Sequence, residues 1–166
     1  MLDNFLIQLF HEGNCLEAYK IFGAHLKVED HKRGARFTVY APNAKSVQVI
    51  GDFNHWDGSN HYMERYHFGG IWTIFIPGIK QYDTYKYRIE TQSGKTVDRA
   101  DPYAFFSELR PGTASKVYNI ENFKWADKRW LNNQTKNFDR KLNIYEAHIG
   151  SWKMKKDFTD EEDGEC

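Results

Sequence analysis

From about Leu26 onward the chain alternates apolar and polar side chains every second residue, with turn formers cutting the pattern every few positions. This pattern constrains the fold more than any other feature, because a period of two places alternate side chains on opposite faces of a strand. Arg36 to Tyr40 (RFTVY) puts Phe37 and Val39 on one face and ends at Ala41-Pro42-Asn43. Ser46 to Ile50 does the same with Val47 and Val49. Ile71 to Ile76 (IWTIFI) is almost wholly apolar, as a strand covered on both faces must be, until Pro77-Gly78 breaks it. Tyr85 to Glu90 turns Tyr85, Tyr87 and Ile89 inward and Lys86, Arg88 and Glu90 outward, and Lys95–Val97 and Lys116–Tyr118 add shorter strands. Some six to eight short strands in about 95 residues predict an all-β fold, an immunoglobulin-like antiparallel β-sandwich. No Cys-Trp-Cys frame marks it as an antibody-type domain.

The flanks read differently. Asp3 or Asn4 can cap a short helix carrying Phe5, Leu6, Leu9 and Phe10, with Gly13 as its stop. A further turn or two through Leu16, Tyr19 and Ile21 ends at Gly23. Neither piece is long enough to hold alone, so this leader must dock on something. Asp101-Pro102 predicts one helical turn over YAFFSEL before Pro111-Gly112. Residues 123–142 read as a polar, lysine-rich linker around Trp125 and Trp130, and Asn143 to Ile149 (NIYEAHI) as one more strand, isolated from the rest. The expected organisation is a helical leader over 1–24, a sandwich over 25–122, the linker over 123–142 and a truncated extension over 143–166.

The length of 166 residues excludes a self-contained (β/α)8 barrel, which takes about 250. No apolar run approaches the ~18 residues of a membrane span and no secretory signal opens the chain, so a soluble, cytoplasmic protein that does not engage a membrane is expected. Cys15 and Cys166 are too few for a disulfide scaffold and read as reduced thiols, Cys15 as a small core residue. Lys+Arg and Asp+Glu balance at 23 each, yet residues 157–165 alone hold six carboxylates and no base. The remainder is therefore basic by six charges, but these are scattered, which does not imply nucleic-acid binding.

Few motifs carry catalytic chemistry. Asp52 and Asp57 are a carboxylate pair, but both flank a turn, where Asp ordinarily bonds backbone. His55, His61 and His67 recur every six residues, about 20 Å in an extended strand, so they read as turn or surface residues and no metal site is expected. No P-loop, nucleophile elbow or dinucleotide fingerprint is present, and no cofactor is expected. The segment Gly51-Asp52-Phe53-Asn54-His55-Trp56-Asp57-Gly58 stands apart, because it presents a tryptophan in a tight polar turn after a strand. An indole can cover the apolar face of a sugar while Asn54, Asp57 and an outward Lys86 bond its hydroxyls. Alternatively, Trp56 packs down on the sandwich edge and Lys86 is merely solvated.

FTVYAPNAKSVQVIGDFNHWDG, GIWTIFIPG, YKYRIE, RADPYAFFSELRPGTASKVY and NIYEAHIGSW, in that order, resemble the amino-terminal part of bacterial 1,4-α-glucan (glycogen) branching enzymes. LFHEGNCLEAYKIFGAHL is similar to their helical leader, so the resemblance runs over essentially the whole chain. It implies that the sandwich is a carbohydrate-binding module, of a kind shared with debranching enzymes and with the glycogen-sensing β subunit of AMP-activated kinase. Trp56 matches the stacking tryptophan of those sensing relatives and Lys86 their sugar-contacting lysine. Their second tryptophan, in the following hairpin, is replaced here by Ser93-Gly94-Lys95.

The family's catalytic barrel begins near a strand like Tyr145 to Trp152, so the chain resembles an enzyme's front end. The aspartate nucleophile, the glutamate acid/base and the stabilising aspartate have no counterpart in it. The resemblance thus implies a non-catalytic module, inactive alone, with α-1,4-glucan or glycogen and the parent's own catalytic barrel as partners. The parent would form α-1,6 branches by a retaining double displacement that needs no cofactor. Two rival readings remain: a structural brace of the barrel without useful sugar affinity, and a module of a debranching relative.

Overall fold

The computed structural model describes residues 2–66, 69–121, 123–134, 139, 141 and 143–148. In chain order its elements are α1 (Asn4–His11), β1 (Gly23–Glu29), β2 (Lys32–Tyr40), β3 (Ala44–Gly51), β4 (Glu64–Arg65), β5 (Ile71–Pro77), β6 (Thr84–Thr91), β7 (Thr96–Arg99), β8 (Phe106–Ser107), β9 (Ser115–Lys116) and α2 (Lys128–Asn132). Single 3₁₀ turns occupy Ala18–Lys20 and Asp52–Asn54. One sheet runs β1-β2-β5-β4 and the other β3-β6-β9-β8, with β7 also on β6. Every pairing is antiparallel. β6 is the hub: β3 lines one of its edges, while β7 and β9 pair with different stretches of it.

The inward residues read from the alternation make the core. Phe37, Val39, Val47, Val49, Tyr85, Tyr87 and Val117 are all buried in one cluster, with Ile89 packed against it. The near-continuous apolar run of β5 serves two cores. Trp72, Ile74 and Ile76 join the inter-sheet cluster, whereas Ile71 meets Ile7, Ile21 and Phe22 on the opposite face. That second cluster is where the leader docks. The Asp3 carboxylate caps α1 by accepting from the Phe5 and Leu6 amides, and Gly13 ends it at φ +75°. Burying Ile7 completely contributes roughly 1.5–3 kcal/mol, which an eight-residue helix needs.

Five local expectations are corrected. The anchor of α1 is Ile7, while Phe5 is exposed; the second helical piece is only the 3₁₀ turn Ala18–Lys20, and Leu16 faces solvent. Cys15 is half-buried in the connection between the two rather than a core residue, whereas Cys166 lies outside the described residues. After Asp101 the turn does form, with the Tyr103 amide on the Asp101 carboxylate, but Phe106–Ser107 then joins β9 as a strand because a ladder partner lies alongside. Residues 143–148 form no strand; Ile144 and Tyr145 are exposed there, since a strand needs an edge to pair with. Ile149 and the segment after it lie outside the described residues.

The chain divides into two compact units, Met1–Lys124 and Trp125–Cys166. The second contains α2, a short helix inside the segment expected to be a linker. Among the described residues no helix is long and apolar enough to cross a membrane.

Candidate functional site

β3 delivers the Gly51–Gly58 segment to the outer face of the second sheet. Gly51 lies so close to β6 that a Cβ there would sit 2.1 Å from the Thr84 carbonyl oxygen and 2.6 Å from the Phe53 ring. Only glycine lets the turn start there. Phe53 packs against the core and stacks with Phe37 at 6.4 Å, plugging the turn into the sandwich. The chain then reverses through His55 at φ +54° and Trp56 at φ +61°, two consecutive non-glycine residues in the left-handed region. Such backbone costs on the order of 1–2 kcal/mol per residue and persists only where surrounding bonds over-determine it.

Those bonds are present. Asn54 accepts the Gly51 amide at 2.9 Å on Oδ1 and donates through Nδ2 to the Val49 carbonyl at 2.9 Å and to His61 Nδ1 at 3.0 Å. The Trp56 amide donates to the Gly51 carbonyl at 2.9 Å, and Arg88 Nη1 donates to the Trp56 carbonyl at 3.3 Å. Arg88 is itself held by both oxygens of Asp98, at 2.9 and 3.0 Å. Burial holds the His61 imidazole below its ordinary pKa, which suits an acceptor Nδ1.

The indole is oriented by Asp52. Its Nε1–H donates to Asp52 Oδ1 at 2.9 Å, while the other oxygen of Asp52 accepts from the Thr84 hydroxyl. With its polar handle bound to Asp52, the ring is held half-buried in one orientation. Lys86 Nζ stands 5.9 Å from the ring centroid and donates to Thr113 Oγ at 2.7 Å, using one of its three N–H donors. The structure thus brings Trp56 and Lys86 together and adds Thr113.

Asn54 and Asp57 lie in the same turn, on bonds of their own. Asp57 accepts from the Ser59 amide and hydroxyl, each at 3.0 Å, and these bonds hold its carboxyl below the usual range, the backbone bond most. The carboxylates of Asp52 and Asp57 are therefore both turn fasteners. The hairpin at Thr91–Thr96 closes through the Gly94 amide and the Thr91 carbonyl, with the Ser93 and Thr91 hydroxyls bonded to each other.

Sequence reasoning missed Thr113, Arg88 and the orienting role of Asp52. Asp52 was legible, four residues before Trp56 in one turn. Thr113 is 27 residues from Lys86 and had no local signal. No group of three or more His, Cys, Asp or Glu able to hold a metal occurs among the described residues, and His67 lies outside them. A cleft of about 440 Å³ opens elsewhere, between Tyr19, His25, Phe105 and Tyr118.

The chain matches the family model of carbohydrate-binding module 48 (isoamylase N-terminal domain) over residues 21–104. It is 47% identical over 153 residues to the 1,4-alpha-glucan branching enzyme GlgB of Bacillus cytotoxicus, covering 91% of this chain and 24% of that enzyme. The GlgB of Bacillus cereus is 47% identical over 152 residues, covering 90% of this chain and 24% of the enzyme. The chain thus spans about a quarter of the length of the branching enzymes it matches. A pullulanase variant from Paenibacillus barengoltzii, solved with maltotetraose, shares the fold with a TM-score of 0.52 at 23% identity, over 68% of this chain and 16% of the other. Running from β1 through β7 and across both the Trp56 turn and Lys86, the family match shows that the chain belongs to the carbohydrate-binding module 48 family.

Proposed function

We propose that this chain is the glucan-binding and positioning module of a glycogen branching enzyme. Its ligand would be an α-1,4-glucan, and its partner the catalytic barrel of the same enzyme, which moves glucan segments to 6-hydroxyls to form α-1,6 branches. One observation carries the reading: an indole locked in orientation by Asp52, with the ammonium of Lys86 and the hydroxyl of Thr113 beside it. A sugar laid on the ring would meet the N–H and O–H donors of Lys86 and Thr113 nearby. Asn54, Arg88 and Asp57 shape the turn that presents the ring, which leaves Asn54 and Asp57 beside any sugar laid on it.

The 47% identity to branching enzymes supports that parent over a debranching relative. One feature favours the structural brace as a second reading, since the Thr91–Thr96 hairpin offers Ser93 and Gly94 where a second ring would strengthen binding. Titration with maltoheptaose followed by tryptophan fluorescence separates the two. A saturable change in the native chain that weakens about tenfold or more in Trp56→Ala is expected, the scale of one lost aromatic stack. No change at millimolar sugar would leave the brace as the function.

A further inference from the structure

Away from Trp56, three aromatic rings meet on the surface of the same sheet. Phe106 stacks on Tyr118 at 5.6 Å, and Tyr82 closes on both, at 6.0 Å from Phe106 and 5.7 Å from Tyr118. Tyr82 is 53% and Phe106 44% exposed, although rings that pack on one another would ordinarily be covered. Lys116 Nζ lies 5.9 Å from the Phe106 ring. The ring-and-lysine spacing of Trp56 with Lys86 is thereby repeated at a second place.

The register fixes where this second place is. Lys116 pairs with Thr84 on one side and with Phe106 on the other, and residues directly opposite in a ladder project from the same face. Thr84 is the residue bonded to Asp52, and Lys86 lies two positions further along the same strand, hence on the same face. The row Thr84–Lys116–Phe106 therefore leads from the Trp56 turn to the aromatic trio. Two strand spacings and two residues of rise separate Lys86 from Phe106, about 12 Å between backbone positions, so that only a chain with rings to spare beyond the gap rests on both.

Tyr82 is also built rigidly. It is held at φ +75°, again left-handed, with its amide on the Val117 carbonyl at 2.7 Å and the Val117 amide on the Asp83 carbonyl at 3.0 Å. Folding thus holds a ring on strained backbone at both ends of the row, half-buried at Trp56 and exposed at Tyr82.

We propose that Tyr82, Phe106 and Tyr118, with Lys116, form a second platform for the same α-glucan chain, extending the surface that starts at Trp56. The proposal rests on the reading of Trp56 as a sugar contact, and it adds a dependence on chain length. A short oligosaccharide reaches one platform, whereas a longer one spans both.

Calorimetric titration of the 166-residue chain with maltotriose and with maltoheptaose tests this, using Phe106→Thr, which keeps a strand former, and Tyr82→Gly, which relieves the positive φ. The expected result is a roughly three- to tenfold loss of maltoheptaose affinity in each variant with maltotriose unchanged, against a loss of both sugars in Trp56→Ala. Unchanged maltoheptaose affinity in both platform variants, with Trp56→Ala still defective, overturns the second platform and leaves the first. Loss only in the platform variants overturns the Trp56 reading instead. No binding of either sugar to the native chain overturns both.

Ring proton shifts of labelled Tyr and Phe in the native chain give a readout that does not depend on variants folding. Shifts of Tyr82 and Phe106 with maltoheptaose but not maltotriose are expected, and none with either overturns the platform. A native dimer that Phe106→Thr dissociates would assign the rings to contact between copies and would likewise overturn it.

Discussion

Asp101→Ala is expected to lower the free energy of unfolding by about 3–5 kcal/mol, seen as a lower urea midpoint with an unchanged slope. Asp101 is buried, and its Oδ2 accepts from the hydroxyls of Tyr85 at 2.7 Å and Tyr87 at 3.0 Å, while Oδ1 accepts the Tyr103 amide at 2.8 Å. Its own amide donates to the buried Ser115 hydroxyl at 2.9 Å. Alanine leaves three donors without an acceptor in the interior, and an unmet buried polar group costs more than a hydrogen bond contributes. Tyr87→Phe removes one donor and keeps the acceptor, so about 1 kcal/mol is expected there.

The same cluster sets a pH dependence. Burial pushes the Tyr85 and Tyr87 hydroxyls well above their ordinary 10.0, with the Asp101 charge adding to it. In the unfolded chain they would lose protons near 10 that the folded chain keeps, so their contribution is complete below about pH 10 and is lost as pH rises beyond it. Burial likewise raises Asp101 above 3.8, against the pull of its hydrogen bonds. Its contribution is complete below that value and declines as pH rises through the raised one. Urea midpoints at pH 8 and pH 11 should therefore fall less in Tyr87→Phe than in the native chain. The cluster also ties β6 to Ser115, and so holds the turn that carries Thr113 to Lys86.

Gly51→Ala is expected to cost about 3 kcal/mol, or roughly 10 °C in Tm, and to abolish the maltoheptaose response of the fluorescence assay. The added methyl would meet the Thr84 carbonyl at 2.1 Å, and that obstacle is backbone of the central strand. The turn must lift off β6, which separates Asp52 from Thr84 and frees the indole. Gly94→Ala is the contrasting case. Its Cβ enters open space, and only the positive φ of +81° resists it, at about 1 kcal/mol with sugar binding retained. Thermal unfolding and titration of the two variants side by side check both expectations.

How much of this was legible follows from the range of the interactions. Alternation is local, so Phe37, Val39, Val47, Val49, Tyr85 and Tyr87 were readable as core, and so was the double-sided burial of β5. The leader's need for a docking surface was readable too, but its anchor was not. Ile7 is selected by the position of Ile71 and Phe22, which no helical pattern in the first 11 residues encodes. The segment after Asp101 failed for a related reason, because its helical signals were outweighed by β9, a strand ten residues later. At the site, the turn residues around Trp56 were visible as one motif. Thr113 and Arg88 were not, because cross-strand geometry alone brings them to Lys86 and Trp56.

The left-handed backbone at His55 and Trp56 has a thermodynamic consequence for any ligand that uses the ring. Its cost is met when the sandwich folds, and the bonds from Asp52, Asn54 and Arg88 hold the geometry afterwards. A sugar that stacked on the ring would therefore meet a surface already ordered, with little side-chain freedom left to surrender. Association should accordingly proceed in one kinetic phase without a slow rearrangement, and affinity among related sugars should vary chiefly through their residence time.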